Sequence, residues 1–147
     1  MSRRPFFASI AIVLAALVVP VPSRAGGDDL VLILNAKNSA SPDLAAAKKL
    51  FLGETGFWAG NVPVHGFVRP AGAPPGDAFY KAIGVAPARF KRIWQEKELS
   101  GQGTGPETIA AAPGVIAKVA ADPGGLGVAL ADEVGAGGAG VRLVPLH

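Results

Sequence analysis

The sequence predicts one α/β domain, a mixed or parallel sheet flanked by helices, and three observations predict it. Continuous apolar runs at Leu30–Ala36 and Leu126–Leu130 have the pattern of strands covered on both faces, not the alternation of a half-exposed sheet. Strands alternate along the chain with segments whose apolar residues recur at helical spacing. Cysteine is absent, so the core is held by packing, and the roughly 120 residues that follow the leader suffice for one such core and not for two.

Residues 1–25 read as a secretory signal. Arg3 and Arg4 make a basic start, Phe6 to Val19 an apolar run, and Ser23-Arg24-Ala25 a small-x-small boundary. The run is shorter than the ~20 apolar residues of a spanning helix, and Pro20 and Pro22 break it. The expectation is cleavage after Ala25, leaving a periplasmic or secreted domain over 26–147 with no stable membrane insertion. Ser2-Arg3-Arg4-Pro5-Phe6-Phe7 is also similar to a twin-arginine export signal, although the Ile/Val/Leu-rich run suits general secretion better. Arg3, Arg4 and Arg24 account for the formal +3, leaving 11 basic and 11 acidic residues from Gly26 onward. A neutral domain without a basic stripe argues against nucleic acid as a partner.

The first strand, Leu30–Ala36, leads to a helix with Ser41 as its expected cap, Pro42 at its first position and Asp43 favoured by the dipole. Leu44, Ala47, Leu50 and Phe51 give that helix its apolar face, and Gly53 ends it. Gly53 to Asn61 reads as a loop packed by Trp58. A strand follows from Val62 to Val68, then a loop rich in Pro and Gly that opens with Arg69. Phe79, Ala82 and Ile83 mark one helix, closed by Gly84, and Pro87 opens another marked by Phe90, Ile93 and Trp94. Arg89, Lys91, Arg92 and Lys97 sit among Glu96 and Glu98 on a solvated face of that second helix. Beyond the loop at Gly101–Thr108, a helix from Pro113 to Ala121 is expected to bury Ile116, Val119 and Ala120. Asp122-Pro123-Gly124-Gly125 is a turn before the Leu126–Leu130 strand, and Val141–Leu146 is a closing strand.

Motifs for catalysis and cofactors are missing. Gly135 to Gly140 fits G-x-G-x-x-G but precedes a strand, so no pyrophosphate-binding helix opens there. Gly101, Gly103 and Gly105 lack the Lys-Ser/Thr of a phosphate loop, and His65 and His147 alone do not make a metal site. Ser39, Ser41 and Ser100 stand in no G-x-S-x-G elbow, and the adjacent Asp132 and Glu133 would point in different directions on a helix. The expectation is a non-enzyme with no cofactor and no metal.

What remains is Val62 to Trp94, where a strand feeds a helix through a loop carrying an arginine. Helix N-terminal N–H groups and a guanidinium fork together suit an oxyanion. Arg69, Gly72, Gly76 and Asp77 are the candidate ligand-binding residues. Arg69 should lie near the start of the Asp77 helix, where it either meets an anion, pairs with Asp77 as a surface ion pair, or caps a neighbouring carbonyl.

LVLILNAKNSAS with the SPDLAAAKKLFLG helix, VPVHGFVRP, DAFYKAIG with ARFKRIW, GQGTG and DPGGLGVAL together resemble the phosphate-type substrate-binding proteins of ABC transporters, in the periplasmic binding protein type 2 fold. The resemblance covers about one lobe of a two-lobed fold. It implies a small phosphate-like anion as ligand and a transporter permease, or a second chain completing the cleft, as partner. The family's loop places Ser-Gly-Thr after the arginine, whereas Ala73, Pro74 and Pro75 stand here. Two hydroxyls and two N–H groups are thereby replaced by groups that cannot donate, so the resemblance implies an incomplete anion site. The alternative is a ligand-free interaction or scaffold domain of the cell envelope that kept the fold.

Overall fold

A computed structural model describes residues 29–135 and 137–146. The signal segment expected at 1–25 lies outside the described residues. The elements are, in order, β1 (Leu30–Asn35), α1 (Leu44–Phe51), β2 (Phe57–Trp58), β3 (Val62–Pro63), β4 (His65–Val68), α2 (Pro74–Ile83) and α3 (Pro87–Leu99). They continue with β5 (Glu107–Thr108), α4 (Ala112–Ala121), β6 (Gly125–Leu130), α5 (Ala131–Val134) and β7 (Val141–Pro145). Five strands form one sheet in the order β5-β4-β6-β1-β7, and β2 and β3 pair separately. β4 runs parallel to both β5 and β6, whereas β1 is antiparallel to β6 and β7. The sheet is therefore mixed, as the sequence predicts, with helices on both faces.

The apolar run of β1 is continuous because each face of the strand meets its own cluster. Leu30, Leu32 and Leu34 join Phe51 of α1, Phe79 and Ile83 of α2 and Phe90 of α3. Val31 and Ile33 join Phe67, Val115 and Val119 on the α4 side. A strand alternates its side chains between faces, so only a doubly covered strand can be apolar at every position. α4 lies close against the sheet at Gly127, where an added Cβ would come within 2.3 Å of Val115 Cγ1.

Several local expectations are corrected. The Val62–Val68 strand is two strands, because the chain changes partners at Val64: its N–H goes to Gly56 O, while His65 N–H goes to Gly124 O. Val62 and Pro63 pair instead with Phe57 and Trp58 in a hairpin whose turn holds Asn61 at φ 62°. The cap of α1 is Asp43 and not Ser41, since the Asp43 carboxylate reaches the Ala46 N–H at 2.8 Å. α4 buries Ala112, Val115 and Val119. Of the expected residues, Ile116 and Ala120 are half-buried, on the side facing Gly138 and Gly140. Trp58 does pack its loop, donating Nε1–H to Gly124 O, and Gly84 and Pro87 stand where expected, at the end of α2 and the start of α3.

Candidate functional site

The chain leaves β4 on the α2/α3 side to reach β5, then leaves β5 on the α4 side to reach β6. Helices diverge to opposite faces at the carboxyl end of β4, which is where open α/β sheets hold their ligands. Arg69 is the first residue past that end, Ala110 lies just past β5, and Glu133 lies just past β6. These three residues meet. Arg69 Nη1 donates to Glu133 Oε2 at 3.0 Å, Nη2 donates to Glu133 Oε1 at 3.0 Å, and Nη2 also donates to Ala110 O at 2.9 Å. Arg69 is only 4% exposed, while the Glu133 side chain keeps 25% of its surface. Glu133 Oε2 also accepts the Leu130 N–H at 2.9 Å.

The expectation that Arg69 pairs with Asp77 at the surface is thus corrected: its carboxylate partner is Glu133, and in this pair the arginine is buried while the glutamate borders solvent. The reason is strand alternation. Phe67 belongs to the α4-side cluster and Val68 to the α2/α3-side cluster, so Arg69 returns to the α4 side, away from the start of α2. The expected capping of a neighbouring carbonyl is found at Ala110 O. Glu133 was missed as a partner. Its signal was present in the sequence as an acid just after an apolar strand.

Gly72, Gly76 and Asp77 do come together on the other side of Arg69. The Asp77 carboxylate accepts the Gly72 N–H at 2.9 Å, and the Asp77 N–H goes to Ala73 O. Gly72 has φ 90°, a conformation that favours glycine. α2 begins with Pro74 and Pro75, so Gly76 is the first of its residues to carry an N–H. Gly76 is buried, and a Cβ there would lie 2.0 Å from Pro70 O and 3.0 Å from Arg69 O. The start of α2 therefore sits directly on the backbone of Arg69 and Pro70, while the guanidinium points elsewhere.

A separate groove of about 440 Å³ runs between α3 and the β5 edge, lined by Tyr80, Phe90, Lys91, Trp94, Glu98 and Thr108 among others. None of Arg69, Gly72, Gly76 and Asp77 lines it. Burial pushes the Tyr80 phenol up from its ordinary range. At the opposite end of β4, His65 Nδ1 is paired with Asp122 Oδ2, joining the start of β4 to the turn before β6.

No protein-family model and no curated protein matches the chain. Solved structures do. An ABC-type phosphate transport receptor from Vibrio cholerae superposes with a TM-score of 0.60 at 12% identity, over 80% of this chain and 46% of that one. A Clostridium perfringens protein solved with bound phosphate superposes with a TM-score of 0.63 at 15% identity, over 80% of this chain and 44% of that one. The fold is that of one lobe of a phosphate-binding protein. The chain spans less than half the length of these structures. At this identity the likeness concerns the fold, and the chemistry of the site rests on the residues described above.

Proposed function

We propose that this chain is an exported, non-enzymatic solute-binding module for a small phosphate-like anion. In this reading the carboxyl end of β4, with the Arg69 guanidinium on its α4 side and Gly72, Gly76 and Asp77 on its α2 side, is one half of a cleft, and a transporter permease or a second chain supplies the other half. One observation carries the reading: a buried arginine stands at the carboxyl end of the central parallel strand, at the switch point of a fold shared with phosphate-binding proteins.

The module binds weakly by itself. Glu133 holds the guanidinium, Asp77 holds the Gly72 N–H, and two prolines replace N–H donors at the start of α2. Each donor that an oxyanion cannot reach costs on the order of 1–3 kcal/mol, so millimolar affinity is expected instead of micromolar. The test is a phosphate titration of the wild type and of Arg69→Ala followed by NMR. Saturable shifts at the Gly72, Gly76 and Asp77 amides, lost in Arg69→Ala, support solute binding. Spectra unchanged by phosphate in both proteins, together with co-purification of an envelope partner, would replace it with the scaffold reading.

A further inference from the structure

We infer that Glu133 is a built-in ligand mimic: its carboxylate sits where an external oxyanion binds, and an anion enters by displacing it. The inference rests on the solute-binding reading and moves the ligand from the start of α2 to the ends of β4 and β6.

A carboxylate and a phosphate offer an arginine the same thing, two oxygens spaced for a planar fork. Glu133 satisfies Arg69 in that geometry and takes the Leu130 N–H with the same oxygen that meets Nη1. An oxyanion in its place would inherit three donors already converging on one point: Nη1, Nη2 and the Leu130 N–H. Arg69 Nε, on another edge of the planar guanidinium, is buried without a hydrogen-bond partner among the described residues. An arginine can only donate, so this N–H is capacity that Glu133 does not use.

The two halves of the pair differ in how freely they can leave. Arg69 is fixed by burial and by Ala110 O. The Glu133 side chain keeps a quarter of its surface in solvent and stands on α5, a helix of four residues. Solvent therefore reaches the carboxylate side of the pair, and a carboxylate that swings out meets water. The ligand class is a small oxyanion, phosphate, sulfate or a carboxylate. The negative charge of Glu133 sets a threshold concentration below which the site stays closed.

The experiment is titration with inorganic phosphate, followed by amide shifts, of the wild type, Glu133→Ala, Glu133→Gln and the double variant Arg69→Ala/Glu133→Ala. Glu133→Ala should bind phosphate at least tenfold more tightly than wild type, with the Leu130 amide among the most shifted, and the double variant should lose the gain. Glu133→Gln keeps the volume and one acceptor, so it should fall between the two; it decides the question if Glu133→Ala does not fold. Loop shifts at Gly72, Gly76 and Asp77 in wild type, with no gain in either Glu133 variant, would overturn the mimic and leave the proposed function standing. A gain centred on Leu130 without loop shifts in wild type supports the mimic and removes the loop as the site. Silence in all four proteins overturns both.

Discussion

Arg69 and Glu133 are 64 residues apart in sequence and meet fork to fork, Nη1 and Nη2 each 3.0 Å from its own carboxylate oxygen. The pair ties the end of β4 to the turn after β6, two neighbouring strands whose connection runs through α2, α3, β5 and α4. Removing one partner of a buried pair leaves the other charge without compensation, at a cost of about 3–5 kcal/mol. Glu133→Ala should fall near the lower end, about 3 kcal/mol, because water can reach part of the vacated position. Arg69→Ala leaves a carboxylate that can hydrate and should cost less. Urea denaturation of both single variants and the double variant gives the coupling; strict additivity would mean that the two side chains do not hold each other in solution.

Gly76 packs against carbonyl oxygens of its own loop, which makes a stability prediction separate from binding. A methyl group 2.0 Å from Pro70 O cannot be accommodated without moving α2 or the loop. Gly76→Ala should cost about 1–3 kcal/mol, as overpacking in a tight site does. Gly72 has open space around its missing Cβ, so Gly72→Ala should cost only the left-handed backbone penalty, about 1–2 kcal/mol. Equal stability of Gly76→Ala and wild type by thermal melting would show that the loop yields easily.

The sheet was legible because its central strands are apolar at every position, and Leu30–Asn35 and Gly125–Leu130 could hardly be anything else. α2 and α3 were legible from Gly84, Pro87 and the spacing of Phe79, Ile83 and Phe90. β2 and β5 were not, because each has two residues and no periodicity can be read from two. At the site, the arginine was found and its partner was not. Local reasoning placed Arg69 beside the helix that follows it, whereas the parity of Phe67 and Arg69 sends both side chains to the other face of the sheet. Glu133 belongs to the site through three-dimensional adjacency of β4 and β6, which no spacing along the chain expresses.

Phe79 is fully buried and stands between Phe51, at 4.7 Å between ring centroids, and Phe90, at 6.0 Å. Both contacts are edge-on, the arrangement ring quadrupoles favour. Phe79→Ala should therefore cost about 3–5 kcal/mol. Trp94 is only half-buried, but it covers Gly53 and donates Nε1–H to Phe51 O at 2.9 Å. Trp94→Ala should cost about 2–3 kcal/mol, less than full burial would give. A chemical-denaturation midpoint for Trp94→Ala that matches wild type would place the ring in solvent and free the α3 groove for a ligand.

Tyr80 gives the pH dependence. Its ring lies 5.1 Å from Phe79 and 5.5 Å from Phe90, and burial holds its phenol above the ordinary value of 10.0. Well below pH 10 the folded and unfolded chains both keep the phenolic proton, and the group contributes no slope. As the pH passes the unfolded value, the unfolded chain releases its proton while the folded chain retains it. The unfolded state then binds fewer protons, so stability falls with rising pH until the folded phenol also ionises. Comparison with Tyr80→Phe isolates the phenol's share of the slope. The wild-type denaturation midpoint should therefore drop further between pH 9 and pH 11 than that of Tyr80→Phe, while below pH 9 the two should run in parallel. Parallel curves up to pH 11 would mean that the phenol is hydrated in the folded protein, and that the groove between α3 and β5 stands open to water.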